Sequence, residues 1–284
     1  MRDDWSAHFL SHGPWTSPGG FKEPIAVLPG DVPALAAVVG GLLIHTDYLA
    51  LYDVQPTDFT SQSRETLMVA QRLQQILEAN DAPLNVARAP ADRALATCRD
   101  YALMLCALLR EKSIPARVRC GFARYLTAGQ YADHWVCEYW DDGAWHFADA
   151  QLDGEQRAHL ALRFDTADLP PGAFLTAQQA WTEYRSGMAE GGRFGHGDAV
   201  GPWFLLVNLA RDLLALGGQE VSAWDDWRSA LPWGDKLDAD NLARCDELAE
   251  AIAAVEVSTE PSGPTAEQAS QPFWRATGSA GPGR

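Results

Sequence analysis

Long apolar runs are missing from this 284-residue chain. The longest, Val32 to Ile44, is broken by Pro33, Gly40 and Gly41 and falls short of the ~18 residues a membrane helix needs. The opening MRDDWSAHFLSH carries Asp3 and Asp4 and no continuous apolar core, so no secretory leader is expected. Cysteine is scarce: five residues, an odd number, with no CxxC pair and no framework spacing. That argues against a disulfide scaffold and points to free thiols in a reducing, cytoplasmic setting. Basic residues are outnumbered, 22 Lys and Arg against 38 Asp and Glu, for a net charge of −16. Non-specific nucleic-acid binding and docking on anionic membranes both need basic surface, so neither partner is expected. The acidic balance mildly suits basic or amine-bearing substrates.

Metal and cofactor motifs are also lacking. His8 and His12 have helical i, i+4 spacing, but no third ligand is evident. Leu237 to Asp240 has acidic spacing without the glycine and distal glutamate of a calcium loop. Gly191 to Gly197 (GGRFGHG) lacks Gly-Lys-Ser/Thr and does not lie between a strand and a helix; a mobile loop is expected there, with His196 a spare acid–base candidate. No metal and no cofactor are therefore assigned, and no internal repeat is found.

What is present is a 47% hydrophobic content, enough for a substantial core. Residues 1–30 read as an irregular N-terminal arm, with Trp5, Phe9 and Trp15 as anchors. Residues 31–255 read as the main domain, whose C-terminal helical extension begins at about residue 200. Residues 256–284, rich in Pro, Ser, Gly, Thr and Ala, read as a disordered tail. Helices are expected from Asp31, as N-cap, to Val39, over Gln62–Asn80, Thr176–Met188 and Pro202–Leu216, and over Asn241–Val255 with Asp240 as cap. Ala116 to Tyr125 alternates as a strand, and Gln151 to Asp168 is a candidate continuation of the sheet. Trp224, Trp227 and Trp233 are expected in the core or against the first segment.

The chain is organised around Ala96 to Asp153. Thr97 and Asp100 have the spacing of a variant capping box, and Tyr101, Ala102, Leu105, Leu108 and Leu109 form the stripe of a core-facing helix that ends near Lys112. Cys98 falls in its first turn, where unpaired backbone N–H groups and the helix dipole favour a thiolate; Arg99 adds nearby positive charge. Cys106 sits among leucines as core. His134 to Trp140 alternates, Asp142-Gly143 signals a two-residue turn, and Ala144 to Ala148 returns. If Asp141 pairs with Ala144, His134 lies opposite Gln151 and Val136 opposite Asp149. His134 and Asp149 then share a sheet face one diagonal step apart, with His146 on the other face.

A thiol at a helix start, a histidine on a strand and an acid on the same face of the next strand fit the logic of an activated nucleophile. These residues resemble the transglutaminase-like superfamily, a branch of the papain-like cysteine enzymes. The likeness rests on small-x-Cys-x-Asp-Tyr-Ala-x-Leu at Ala96 to Leu103, Leu-Leu-Arg…Ile-Pro-Ala-Arg-Val at Leu108 to Val118, His134-Trp135 heading a strand, and Asp149 ending the next. Ala96 replaces the glycine of many members, and Arg99 replaces the tryptophan of the animal crosslinking enzymes, which points to a bacterial-type member. The resemblance implies an α+β fold: a nucleophile helix packed on an antiparallel sheet, with extra C-terminal helices. It also implies that residues 31–255 form a catalytic domain with the triad Cys98, His134 and Asp149.

The reaction implied is cleavage or exchange of an amide or acyl bond through a Cys98 thioester, on a peptide, amide or acyl-thioester substrate. Hydrolysis is slightly favoured because water is always present; transfer to an amine co-substrate is the alternative. Papain-like enzymes use an upstream side chain to complete the oxyanion hole, and Gln62, Gln71 and Asn85 are candidates. Tyr131 and Asp133 adjoin His134 without an assigned role, and Gln178, Gln179 and Glu183 are available on a later helix. Two rival readings are a zinc site from Cys98, Cys120, Cys137 and His134, and a non-catalytic binding module on the same fold. The first draws ligands from scattered elements; the second sits poorly with an intact triad. The sequence sets no oligomeric state.

Overall fold

Local signals start the principal elements, and tertiary hydrogen bonds decide where several of them stop. The computed structural model describes residues 5–59, 62, 66–222 and 237–257. These fall into two compact units: one takes Phe9–Val118 and Val136–Pro170, the other residues 5–8, Arg119–Trp135 and the described residues from Pro171 onward. The fold mixes helices and strands, as expected of the α+β class. Among the described residues, no helix is long and apolar enough to cross a membrane.

Eight strands are present among the described residues: β1 (Leu43–His45), β2 (Ala94–Ala96), β3 (Ala116–Ala123), β4 (Tyr131–Asp141), β5 (Ala144–Ala148), β6 (Phe174–Thr176), β7 (Phe194–His196) and β8 (Ala199–Val200). Strands β1 and β2 form a parallel pair; the others form a sheet in the order β6-β3-β4-β7-β8, with β5 also paired to β4. The sheet is mixed rather than wholly antiparallel, because β7 runs parallel to β4.

In the first unit, the helix Val32–Leu42 begins at Asp31, whose carboxylate accepts from Ala34 N–H at 2.9 Å, with a proline in its first turn. The helix expected over Gln62–Asn80 starts only at Val69. The reason is tertiary: Thr66 O accepts from the Arg72 guanidinium at 2.8 Å, and the Gln62 amide is tied to the backbone of Arg93 and Leu95. The N-terminal segment packs on the helix Cys98–Glu111. Arg110 donates to Ser11 O and to Thr16 Oγ1, Lys112 Nζ donates to Ala26 O and Leu28 O, and His12 Nε2 meets Glu111 at 2.9 Å. Phe9 is buried and packs edge-on to Trp145 at 5.2 Å. The β4–β5 register pairs Asp141 with Ala144 and Cys137 with Ala148, as expected. Asp142 and Gly143 both take positive φ, 44° and 85°, as a primed two-residue turn requires. Residues 151–168 do not continue the sheet. Asp153 instead caps a short helix, Gly154–His159, through Glu155 N–H and Gln156 N–H.

In the second unit, every residue of the helix Trp203–Leu216 is buried. Each fully buried leucine there contributes roughly 1.5–3 kcal/mol. Its polar members face buried partners. Asp212 accepts from Arg119 Nη2 at 2.8 Å and from Cys120 N–H at 2.9 Å, and Arg119 also reaches Glu256. Burial pushes the Asp212 carboxyl up, against the pull of Arg119. The helix Ala177–Arg185 carries a full capping box of Thr176 and Gln179. The last described helix, Ala239–Val257, is capped by Asp238 through Asn241 N–H at 2.8 Å, two residues before the expected Asp240. Gly191–Gly197, expected as a mobile loop, carries β7, which pairs with Tyr131 and Ala132 of β4 and hairpins into β8. A Cβ on Gly195 would lie 2.2 Å from Ala199 O, which explains the glycine. Trp224, Trp227, Trp233 and residues 258–284 lie outside the described residues.

Candidate active site

Cys98 is the first residue of its helix, half-buried, with a free thiol. The helix start is fixed by Asp100, whose Oδ2 accepts from Thr97 N–H at 2.8 Å and from Thr97 Oγ1 at 3.2 Å. Two buried guanidiniums hold that carboxylate: Arg99 Nη1 at 3.3 Å and Arg72 Nη2 at 3.4 Å. Arg99 is only 1% exposed, donates to Leu67 O at 3.0 Å, and lies over the Trp15 ring. From the sequence, Arg99 adds positive charge near the thiol. The structure pairs its guanidinium with Asp100 at the helix start.

Strands β1 and β2 bring a second set of side chains to the same unit. His45 lies opposite Ala96, two residues before Cys98. Past His45 the chain enters a 3₁₀ turn, Thr46–Tyr52, capped by His45 Nδ1, which accepts from Asp47 N–H at 3.1 Å. Tyr48 in that turn packs edge-on against the His45 ring at 5.5 Å. Burial, then the charges of Asp47, Asp149 and Cys98, push the Tyr48 hydroxyl up from the ordinary phenol range. Asp149 is buried and follows β5 immediately. Its N–H donates to Thr166 O at 2.7 Å and its Oδ1 accepts from Gln151 N–H at 3.0 Å. A cavity of about 470 Å³ borders Asp149, with Arg93, Arg157, Asp153 and Asp165 in its wall; Cys98 is not part of the lining.

His134 is carried by the part of β4 that belongs to the other unit. It is 1% exposed, and its ring meets Tyr125 edge-on at 6.0 Å. Asp133 beside it is held by Asn208 Nδ2 at 2.8 Å and by Arg211 at 3.4 Å, which gives it a structural role. Tyr131 stacks on Phe194 at 4.6 Å, and the cations of Arg124 and Arg193 each lie over its ring.

The remaining candidates resolve individually. Gln71 and Asn85 are exposed, and Gln62 is occupied by β2 backbone. Gln178 bonds Thr182, Gln179 caps its helix, and Glu183 pairs with Arg124. His196 is exposed on the β7–β8 hairpin. His146 pairs across from Tyr139 and bonds Asp168 at 3.0 Å. Cys120 and Cys137 are buried, and Cys137 meets the Cys106 thiol. Among the described residues, no group of three or more His, Cys, Asp or Glu is placed to hold a metal. Neither Tyr48 nor His45 was a sequence candidate, since only the β1–β2 pairing reveals their neighbours.

Comparison with known proteins narrows the class. The crystal structure of a putative cysteine protease from Cytophaga hutchinsonii matches at 16% identity and a TM-score of 0.33, over 51% of this chain and 41% of that one. Its likeness is too slight to carry argument. Curated proteins give no significant match. The profile of the transglutaminase-like superfamily matches residues 62–150, a segment that contains Cys98, His134 and Asp149. Over residues 62–150, then, this chain is similar to the transglutaminase-like superfamily, a family of cysteine enzymes.

Proposed function

We propose that the chain is a cysteine-dependent enzyme that cleaves an amide or acyl bond through a thioester on Cys98. Cys98 attacks the carbonyl carbon, His134 takes the thiol proton and returns it to the departing amine, and Asp149 orients the imidazole. The thioester is then resolved by water. The observation that carries the reading is the half-buried, free Cys98 thiol at a capped helix start. The superfamily match over residues 62–150, which include Cys98, His134 and Asp149, supports it. The substrate class is a peptide, an amide or an acyl-thioester. Five free thiols suit a reducing, cytoplasmic compartment.

Mass spectrometry of the protein, quenched during turnover of a peptide and acyl-thioester panel, tests this. An acyl adduct on Cys98 that water clears is expected. Faster clearance with added amine, yielding an amide product, would mark a transferase. Turnover that survives Cys98→Ala would overturn the proposal.

A further inference from the structure

The tetrahedral intermediate of the reaction proposed above carries a full negative charge on oxygen, and this inference rests on that reaction. The Cys98 backbone N–H at the helix start can serve that oxygen, but a second donor is needed, neutral and held in place beforehand. The polar side chains suggested by the sequence do not supply it, since Gln71 and Asn85 are exposed and Gln62 is spent on β2.

The parallel pairing of β1 with β2 does bring a donor alongside. Both chains leave the pair at the same end, after His45 and Ala96, and both turn at once into helical structure. Tyr48 lies three residues beyond His45, and Cys98 two beyond Ala96. His45 braces the Tyr48 ring edge-on at 5.5 Å while its Nδ1 caps the turn. Tyr48 is half-buried, as Cys98 is. From this geometry we infer that the Tyr48 hydroxyl is the second donor to the oxyanion, opposite the Cys98 N–H, with His45 as its positioning residue.

The chemistry of the phenol agrees. Burial and the acidic charges around it disfavour its ionisation, so it stays an O–H donor across the neutral range. In the step itself, the Cys98 sulfur forms a bond to the carbonyl carbon and the carbonyl π pair moves to oxygen. Tyr48 donates a hydrogen bond to that oxygen without giving up its proton. When the pair returns, the substrate C–N or C–S bond breaks (C–O in a nitrophenyl ester), and a departing amine takes its proton from His134.

Two reagents separate this role from simple site integrity. p-Nitrophenyl acetate acetylates a thiol through a tetrahedral oxyanion; iodoacetamide alkylates it with no such charge. The other four thiols are buried, so both reagents report on Cys98. Tyr48→Phe removes one oxygen and keeps the ring against His45. Its nitrophenolate burst should slow on the order of 10²-fold, while iodoacetamide labelling and the melting temperature stay within error of wild type. Equal slowing of both reagents, or of neither, overturns the role of Tyr48 alone. A burst that persists in Cys98→Ala, or no Cys98-dependent burst at all, overturns the nucleophile assignment and the Tyr48 role with it.

Discussion

Asn208 Nδ2 donates to Asp133 Oδ1 at 2.8 Å and to Gly121 O at 3.0 Å, so one buried amide joins β3 to β4 at the residue before His134. Its own oxygen accepts from Arg211 at 3.2 Å. Truncating it leaves a buried carbonyl and a partly buried carboxylate short of a donor. Asn208→Ala should therefore cost roughly 1–3 kcal/mol, read as a lower urea midpoint at unchanged m-value. An unchanged midpoint would mean water replaces the amide.

The proposed triad makes a contrasting prediction, in which activity and stability part company. Cys98 is half-buried at a helix start, and its helix is capped by Thr97 and Asp100, not by the thiol. Cys98→Ala should abolish turnover yet leave the melting temperature nearly unchanged. His134→Ala should slow iodoacetamide labelling of Cys98 near neutral pH. Labelling at the wild-type rate would argue against an ion pair between sulfur and imidazole.

Asp100 is where the two properties meet. Arg72 and Arg99, 2% and 1% exposed, both point at its carboxylate, and the N–H before Cys98 depends on it. Removing one partner of a buried ion pair costs about 3–5 kcal/mol, because the stranded charge stays buried. Asp100→Ala should reach that range in chemical denaturation. Asp100→Asn keeps an acceptor for Thr97 and should fold better while still losing stability. Near-wild-type stability in both variants would show that the arginines find other partners.

What could be read from the sequence was what neighbouring residues decide. Thr97 and Asp100 are one turn apart, so their box was visible, as was Asp31 ahead of Val32–Leu42. The β4–β5 register was visible because Asp142-Gly143 leaves the hairpin one way to close. Contacts between distant residues were not visible. Residues 66–68 have helical periodicity, yet Arg72 and Arg99 draw the carbonyls of Thr66 and Leu67 away from a helical ladder. Phe194 to His196 reads as loop because its partner, Tyr131, comes from a strand more than 60 positions earlier. Tyr48 is not legible for the same reason, since only the pairing of His45 with Ala96 brings its segment alongside the start of the Cys98 helix. Asp153 caps Gly154–His159 through its near neighbours, a local signal within a stretch expected to continue the sheet.

His12 gives the fold a pH dependence whose sign can be worked out. Its Nε2 meets Glu111 Oε1 at 2.9 Å, and since a carboxylate only accepts, Nε2 carries the hydrogen. Burial, with the nearby Arg110 charge, lowers the imidazole below its ordinary 6.5, outweighing the opposite pull of Glu111. The unfolded chain therefore takes up this proton at higher pH than the folded one. Between 6.5 and the lower folded value the unfolded state binds more protons, so stability rises with pH there. The contribution is complete above 6.5 and is lost as pH falls through that window. His12→Gln keeps a donor for Glu111 but cannot titrate. Plotted against pH, the unfolding free energy of wild type minus that of the variant should slope downward on acidification below 6.5 and be flat above it. A difference that grows toward acid would mean the Glu111 pairing outweighs burial, and one flat throughout would mean the two cancel; either overturns the prediction.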